Sequence, residues 1–515
     1  MISTDASKGI RYGTAVVIML LAIAAVSAFT VSDLRSDDAV IGANGSVAID
    51  VSENTSVIQT NVQNAINASS TSGGGRVTVT GSKPDASSTI TLTIPAGVSV
   101  IWDAEFRSSM GLMLRGLGSF EASGEKVSFG SVTVMDGCGL KINGDLVFGI
   151  TTPGSSSMQA SGGSTINITG NLRFNQLGYI TAGDTSSRGT VNIGGNLTFT
   201  GANSYIRVSG PNSGAEAVKI GGNLRYEATG FIQAIASGTA EIKGSVTFAA
   251  GGYIDSSGTS VVRISGGAVF ATGSVGRIDI RDTAKVEING NATFNYVSSN
   301  IQVGTGAELK IKGTASFTRD SCYITVSGTA GIGAVKIDGS GSRINVTGGN
   351  FNTDGNVSLS NGDITLNVGR IEIKGDVALG SGMITIEKGR TYINGTITAG
   401  AEKYIRLQNP EGGYLQKGTD EYSEKDNGYY LYRNGADAFL YVKAPEEDNT
   451  ALIIIIAAAA AAAVAVIYFV FVRRTGSGTG QSIPDKNGPK GRTKEGPRQQ
   501  GRPRSESKHE ALRKK

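Results

Sequence analysis

Histidine limits the chemistry open to this chain. The only one is His509, six residues from the end of a 515-residue sequence. Imidazole-based triads and imidazole metal sites therefore fall away for the long body rich in Gly, Ser, Thr and Asn. What remains is carboxylate chemistry, or elimination chemistry assisted by Arg, Lys and Ca²⁺. One row of residues fits that description. Thr181, Arg207, Gln233, Asp255, Asp279, Gln302, Thr325 and Asn345 each follow an Ile in a short segment that recurs along the chain. If successive segments stack, Asp255 and Asp279 become neighbours, with Arg207 on the same face. Two adjoining carboxylates can hold Ca²⁺ or act as a catalytic pair. The more ordinary reading of such a row is the solvated polar face of a sheet.

A second row carries charge of alternating sign: Lys219, Glu241, Arg263, Glu287 and Lys310. In-register stacking would set opposite charges side by side, which specifies register at some tenths of a kcal/mol per pair. The row is not single-signed, so a strip for anionic glycans fits it less well. Cys138 and Cys322 lie in the first and last well-formed repeats. Stacking would hold them far apart, so two partly buried thiols are expected rather than a disulfide, a metal site or a redox pair.

The elements that must position these rows come from one repeated pattern. It reads Leu140-Lys141-Ile142-Asn143-Gly144-Asp145-Leu146-Val147-Phe148 and returns with Ile168, Ile193, Ile220, Ile242, Ile264, Ile288 and Ile311. A looser Ile-x-Gly continues at Ile337, Ile373 and Ile393. Self-similarity with a period of a few tens of residues means a solenoid. Each repeat holds three short apolar alternations: one before the Gly, Leu-x-Phe after it, and a third such as Tyr179-Ile180-Thr181-Ala182. Period-2 alternation turns Ile, Leu and Phe inward. Gly at the corner tolerates positive φ, so the chain can turn sharply between the first two strands. The expectation is an all-β, right-handed parallel β-helix of about 22–27 residues per coil.

The flanks read differently. Residues 1–30 look like a signal peptide or an N-terminal anchor, with Lys8 and Arg11 ahead of an apolar run and Val26-Ser27-Ala28 as a cleavage site. Residues 31–110 form an N-terminal cap and first coils. Within them Val57, Ile58, Val62, Ala65 and Ile66 mark one face of a helix with Ser56 as its N-cap. The β-helix repeats occupy 111–400. Residues 401–450 make a C-terminal cap holding seven of the sixteen tyrosines, with Asn434-Gly435 as a hairpin turn. These tyrosines could form a sugar platform, though closing a core is the commoner use.

Residues 451–472 are uncharged and apolar over a length that spans a bilayer, and Arg473-Arg474 follows directly. Positive residues there place the C-terminus in the cytoplasm and the repeats outside the plasma membrane. The tail, 473–515, should be basic and disordered. It carries thirteen Lys/Arg against four Asp/Glu, so the overall charge of +4 hides a body with a net charge of −5. The tail lacks aromatics and a folded reader, so no nucleic-acid partner is expected. Asn-x-Ser/Thr sequons at Asn44, Asn54, Asn67, Asn167, Asn196, Asn291, Asn345, Asn356 and Asn394 are possible glycosylation sites in an exported chain.

With its helical cap, the stretch Leu92-Thr93-Ile94-Pro95-Ala96-Gly97-Val98 and its stacked Ile-x-Gly-Asn-Leu-x-Phe coils, residues 45–400 resemble the pectin-lyase-like right-handed β-helix class. More closely, the chain is similar to adhesin-like surface proteins of archaea and bacteria. That fold hosts lyases, glycosidases and adhesins alike. The lyases' Asp-rich calcium motif finds no match here, and no family catalytic residue is carried over. The expectation is a structural or adhesin-like surface rod, anchored by one span, whose partners are glycans or surface-layer components, with no cofactor. The alternative is a membrane-tethered polysaccharide lyase or glycosidase using Asp255, Asp279 and Arg207 with Ca²⁺.

Overall fold

The structure is a computed structural model that describes residues 45–149, 154–184, 186–210, 217–408, 413–418, 421–422, 424–445 and 450–475. The segment read as a signal peptide or anchor, the Asn44 sequon and residues 476–515 of the tail lie outside the described residues. The chain divides into two units, residues 1–445 and 446–515.

The first unit is a parallel β-solenoid of about fifteen turns. At roughly 4.8 Å per turn the stack extends about 70 Å along its axis. Its first face holds strands such as Gly139–Asn143, Ser164–Ile168 and Gly189–Ile193. The second holds Leu146–Phe148, Leu172–Phe174 and Leu197–Phe199, and the third Ser156–Ala160, Gly178–Ala182 and Ser204–Gly210. Each strand pairs in parallel with its equivalent one coil on, as Ile142↔Ile168↔Ile193 and Leu146↔Leu172↔Leu197 show. Buried and less buried positions alternate along most of the solenoid strands, and one hydrophobic core runs from Val47 to Val442. Coil length follows the sequence steps through the middle and tightens to 20 residues near the C-terminal end, where Ile344, Ile364 and Ile384 are in register.

Two core columns carry most of the packing. Phe148, Phe174, Phe199, Tyr226, Phe248, Phe270, Phe294 and Phe317 stack with ring centroids 4.5–5.0 Å apart. Tyr226 fits among phenylalanines because its buried hydroxyl donates to the Phe231 carbonyl at 2.9 Å. Fully burying each such ring contributes about 1.5–3 kcal/mol, and stacking adds roughly 0.5–1.5 kcal/mol per pair. The ladder ends when Ile337 pairs with Phe317. Ile337 therefore belongs to the second face and not to the Ile-x-Gly position, which Ile332 fills. Thr353 follows Ile332 in that inner column, and its hydroxyl donates to the Gly355 carbonyl. Ile373 and Ile393 continue the column.

The corner glycines serve two purposes. Of the column Gly144, Gly170, Gly195, Gly222, Gly244, Gly266, Gly290 and Gly313, Gly144 alone has positive φ. The others are needed because the coils approach closely there. A Cβ on Gly195 would lie 2.5 Å from Asn171 Oδ1 and 2.9 Å from the Gly170 carbonyl carbon. From Gly170 onward the amide N–H of each glycine donates to the carbonyl of the glycine one coil back, as from Gly195 to Gly170 at 2.9 Å.

Helix α1, Thr55–Thr71, covers the N-terminal end. It buries Ile58, Val62, Ala65 and Ile66, but Val57 stays exposed. Asn54, and not Ser56, occupies the N-cap position. The strand Ile90–Thr93 under the helix has no strand on its N-terminal side among the described residues. Gln59 and Gln63 stand in: the Thr91 N–H donates to Gln59 Oε1, the Thr93 N–H to Gln63 Oε1, and Gln63 Nε2 to the Thr93 carbonyl, all at 2.8–2.9 Å. Parallel pairing continues at the other end to Ile405–Gln408. The strand Ala438–Lys443 then pairs in parallel with Gly389–Ile393, and Tyr429–Asn434 folds back on it as an antiparallel hairpin turning at Gly435, φ +63°.

In the second unit, helix α2 spans Thr450–Thr475. Its segment Ile454–Phe471 is long and apolar enough to cross a membrane, and its side chains are exposed.

Candidate functional site

The third face carries the row singled out for chemistry. Its register is continuous: Thr181, Arg207, Gln233, Asp255, Asp279, Gln302, Thr325 and Asn345 pair one with the next. Asp255 and Asp279 are thus neighbours in adjacent coils. Arg207 shares their column but sits two coils from Asp255, with Gln233 between.

Both oxygens of Asp255 are engaged. Arg281 Nη2 donates to Oδ1 at 2.6 Å and Gln233 Nε2 donates to Oδ2 at 3.1 Å. Arg281 also lies 3.9 Å from Asp279 Oδ1. The like charges of the two carboxylates are therefore partly offset by a guanidinium bound to Asp255 and close to Asp279. In turn, the hydrogen bond to Asp255 raises the Arg281 pKa above its ordinary value. Asp255 is 6% exposed, which a carboxylate tolerates because it is paired and hydrogen-bonded through both oxygens. Period-2 alternation already puts Arg281 on the side of Asp279, and that was the signal available for finding it in the sequence. Among the described residues no group of three or more His, Cys, Asp or Glu side chains is placed to hold a metal ion.

Beside this row runs a feature that sequence reading missed. Tyr179, Tyr205, Phe231 and Tyr253 face outward and stack at 4.7–5.2 Å with near-parallel rings. The Arg277 guanidinium closes the stack, 5.1 Å from the Tyr253 centroid. The aromatic before each Ile was the signal, and alternation alone set its side chain outward. Stacked in this way the rings cover one another's faces and present edges and hydroxyls to solvent. Sugar stacking needs a free face. Of the four, Tyr179 alone keeps a face covered by neither a ring nor a guanidinium, since Ser157 precedes it in the column.

The alternating charges of the first face are adjacent in register from Lys219 to Lys310. None of the five approaches its column neighbour within ion-pair distance. Close pairs elsewhere on this face include Lys285–Glu308 at 2.7 Å, in the adjoining column, Lys141–Glu121 at 3.0 Å and Arg370–Glu372 at 2.8 Å. Cys138 and Cys322 are buried free thiols, and burial pushes Cys138 up to about 11.

The sequons fall into two environments. Asn196 Oδ1 accepts from the Asn223 N–H at 2.7 Å, Asn291 Oδ1 from Thr314 at 2.9 Å and Asn356 Oδ1 from Asp376 at 2.9 Å. They belong to a corner ladder that also holds Asp145, whose carboxylate takes the Asn171 N–H at 2.7 Å and so titrates below the usual range. Asn167 and Asn345 lie within strands, and Asn394 Oδ1 accepts from the Tyr429 hydroxyl at 2.8 Å. Asn54 and Asn67 instead lie exposed at the helical cap. Among the cap tyrosines, Tyr432 is fully buried. Tyr441 stacks on Tyr392 at 4.6 Å. Tyr422 and Tyr430 stack at 4.2 Å.

Comparison with protein-family models, with curated proteins and with solved structures finds no match.

Proposed function

We propose that this protein is a membrane-anchored extracellular rod with a structural or adhesive role, displayed by helix α2 and engaging glycans or surface-layer components along its outer faces. The observation that carries this reading is the core, which runs unbroken from Val47 to Val442. Helix α1 closes one end of it and an antiparallel hairpin the other. Such a construction supports a long, rigid surface. The carboxylate best placed for chemistry, Asp255, is already paired with Arg281 and hydrogen-bonded by Gln233. The apolar segment Ile454–Phe471 supplies a span of suitable length.

The test is topological. In intact cells an impermeant amine reagent should label solenoid lysines such as Lys141 and Lys285, while a tag on the tail reacts only after permeabilisation. Labelling of the tail but not the solenoid overturns the reading. A parallel arm incubates the purified chain with acidic polysaccharides and Ca²⁺. Release of new chain ends, lost in Asp255→Ala together with Asp279→Ala, would replace the rod by the lyase or glycosidase.

A further inference from the structure

We infer that, among the sequons of the described residues, acceptors for N-linked glycans are confined to the helical cap, at Asn54 and Asn67, and that the sequons built into the coils are structural. A transferase must draw the acceptor Asn and the hydroxyl two residues on into its own site. The acceptor segment therefore has to leave its native backbone path.

Within the coils this is costly. Asn196-Leu197-Thr198 runs from the corner ladder into a strand paired on both sides, to Leu172–Phe174 and to Leu224–Tyr226. Leu197 is fully buried, and Asn196 Oδ1 is held by the Asn223 N–H. Asn291 and Asn356 repeat the arrangement, with buried Ala292 and Val357 as the middle residue. The repeat itself generates these sequons: ladder Asn, core aliphatic, outward Thr or Ser. Their spacing reports the coil and not a modification.

At the cap the constraints are weaker. Asn54 has extended backbone, φ −69° and ψ 142°, and its side chain makes no capping hydrogen bond. Asn54 and Ser56 are both exposed. Thr55 between them is buried, but releasing the three requires opening only the first turn of α1, where Thr55 is tied to the Ser87 N–H by one long bond of 3.3 Å. Asn67 and Ala68 are exposed near the other end of the same helix, and Asn67 Oδ1 accepts from the exposed Gln63 side-chain amide at 3.0 Å, within the helix and not from another coil. Helix ends open far more readily than strands inside a continuous core.

Glycosylation in the organism rests on the reading that the solenoid lies outside the membrane, but the selectivity among sequons does not. The experiment therefore works in vitro. The folded full chain is incubated with purified oligosaccharyltransferase and a lipid-linked oligosaccharide, and occupancy is read by mass spectrometry. Expected is modification at one or both cap sequons, at least about tenfold above Asn196, Asn291 and Asn356. The urea-unfolded chain should lose that preference. Bare cap sequons in the folded chain, or coil sequons equally occupied, overturn the inference. Tail-side labelling of intact cells would sink the topology and leave this selectivity standing.

Discussion

At Gly222 an added methyl group would meet Asn196 Oδ1 at 2.5 Å and the Gly195 carbonyl carbon at 2.9 Å. At Gly144 it would meet nothing within 4 Å, although φ is +89°. One column thus uses glycine for two reasons, and substitution separates them. Gly222→Ala should cost about 1–3 kcal/mol, because backbone of the preceding coil must shift. Gly144→Ala should cost roughly 1 kcal/mol of backbone strain with no displacement of its neighbours. Urea unfolding measures both, and amide exchange at Gly195 and Asn196 should rise only in the first. The ladder also contains a pH probe. The folded Asp145 carboxyl titrates below its ordinary value of 3.8, chiefly through the Asn171 N–H. Its stabilisation is therefore present above pH 3.8 and is lost as pH falls through the lower folded value. Asp145→Asn, the residue that Asn171 and Asn196 already place in this column, should keep the hydrogen bond and flatten stability against pH below about 4. Unchanged acid sensitivity in that variant would remove Asp145 from the account.

At the scale of elements, the cap helix shows how a solenoid end is finished without another strand. Gln59 and Gln63, four residues apart on one helix face, offer amide groups in place of the missing backbone. Gln63→Ala removes one acceptor and one donor from Thr93. Because the site is exposed, water replaces part of what is lost, and the expected cost is about 1 kcal/mol. It should be read as roughly fivefold faster amide exchange at Thr93, with distant coils unaffected since each coil contacts only its neighbours. An effect spread evenly along the solenoid would contradict local capping. The helix itself was legible from its apolar face. The glutamine contacts were not, because they join residues about thirty apart and leave no periodic trace. The hairpin at Asn434-Gly435 was legible because its turn chemistry is local.

For the whole molecule, the sequence by itself determined the solenoid, its three strands per coil, the inner aromatic column and the apolar helix. Inward positions repeat because every coil meets the same neighbours, so selection for packing writes a period into the chain. The tertiary structure alone decided what the outward residues do. Asp255 looked like half of a carboxylate pair, and the register did bring Asp279 beside it. Only coordinates showed Arg281 and Gln233 consuming its oxygens. The outward rings from Tyr179 to Tyr253 looked like alternation partners of Ile, and stacking turned them into a column with edges exposed. The sequons looked equivalent, and hydrogen bonding separated the corner ladder from the helical cap. The physical reason is common to all three. A side chain's direction follows from local backbone periodicity, whereas its partners come from coils 20 or more residues away, and those are fixed only when register and corner geometry are fixed together.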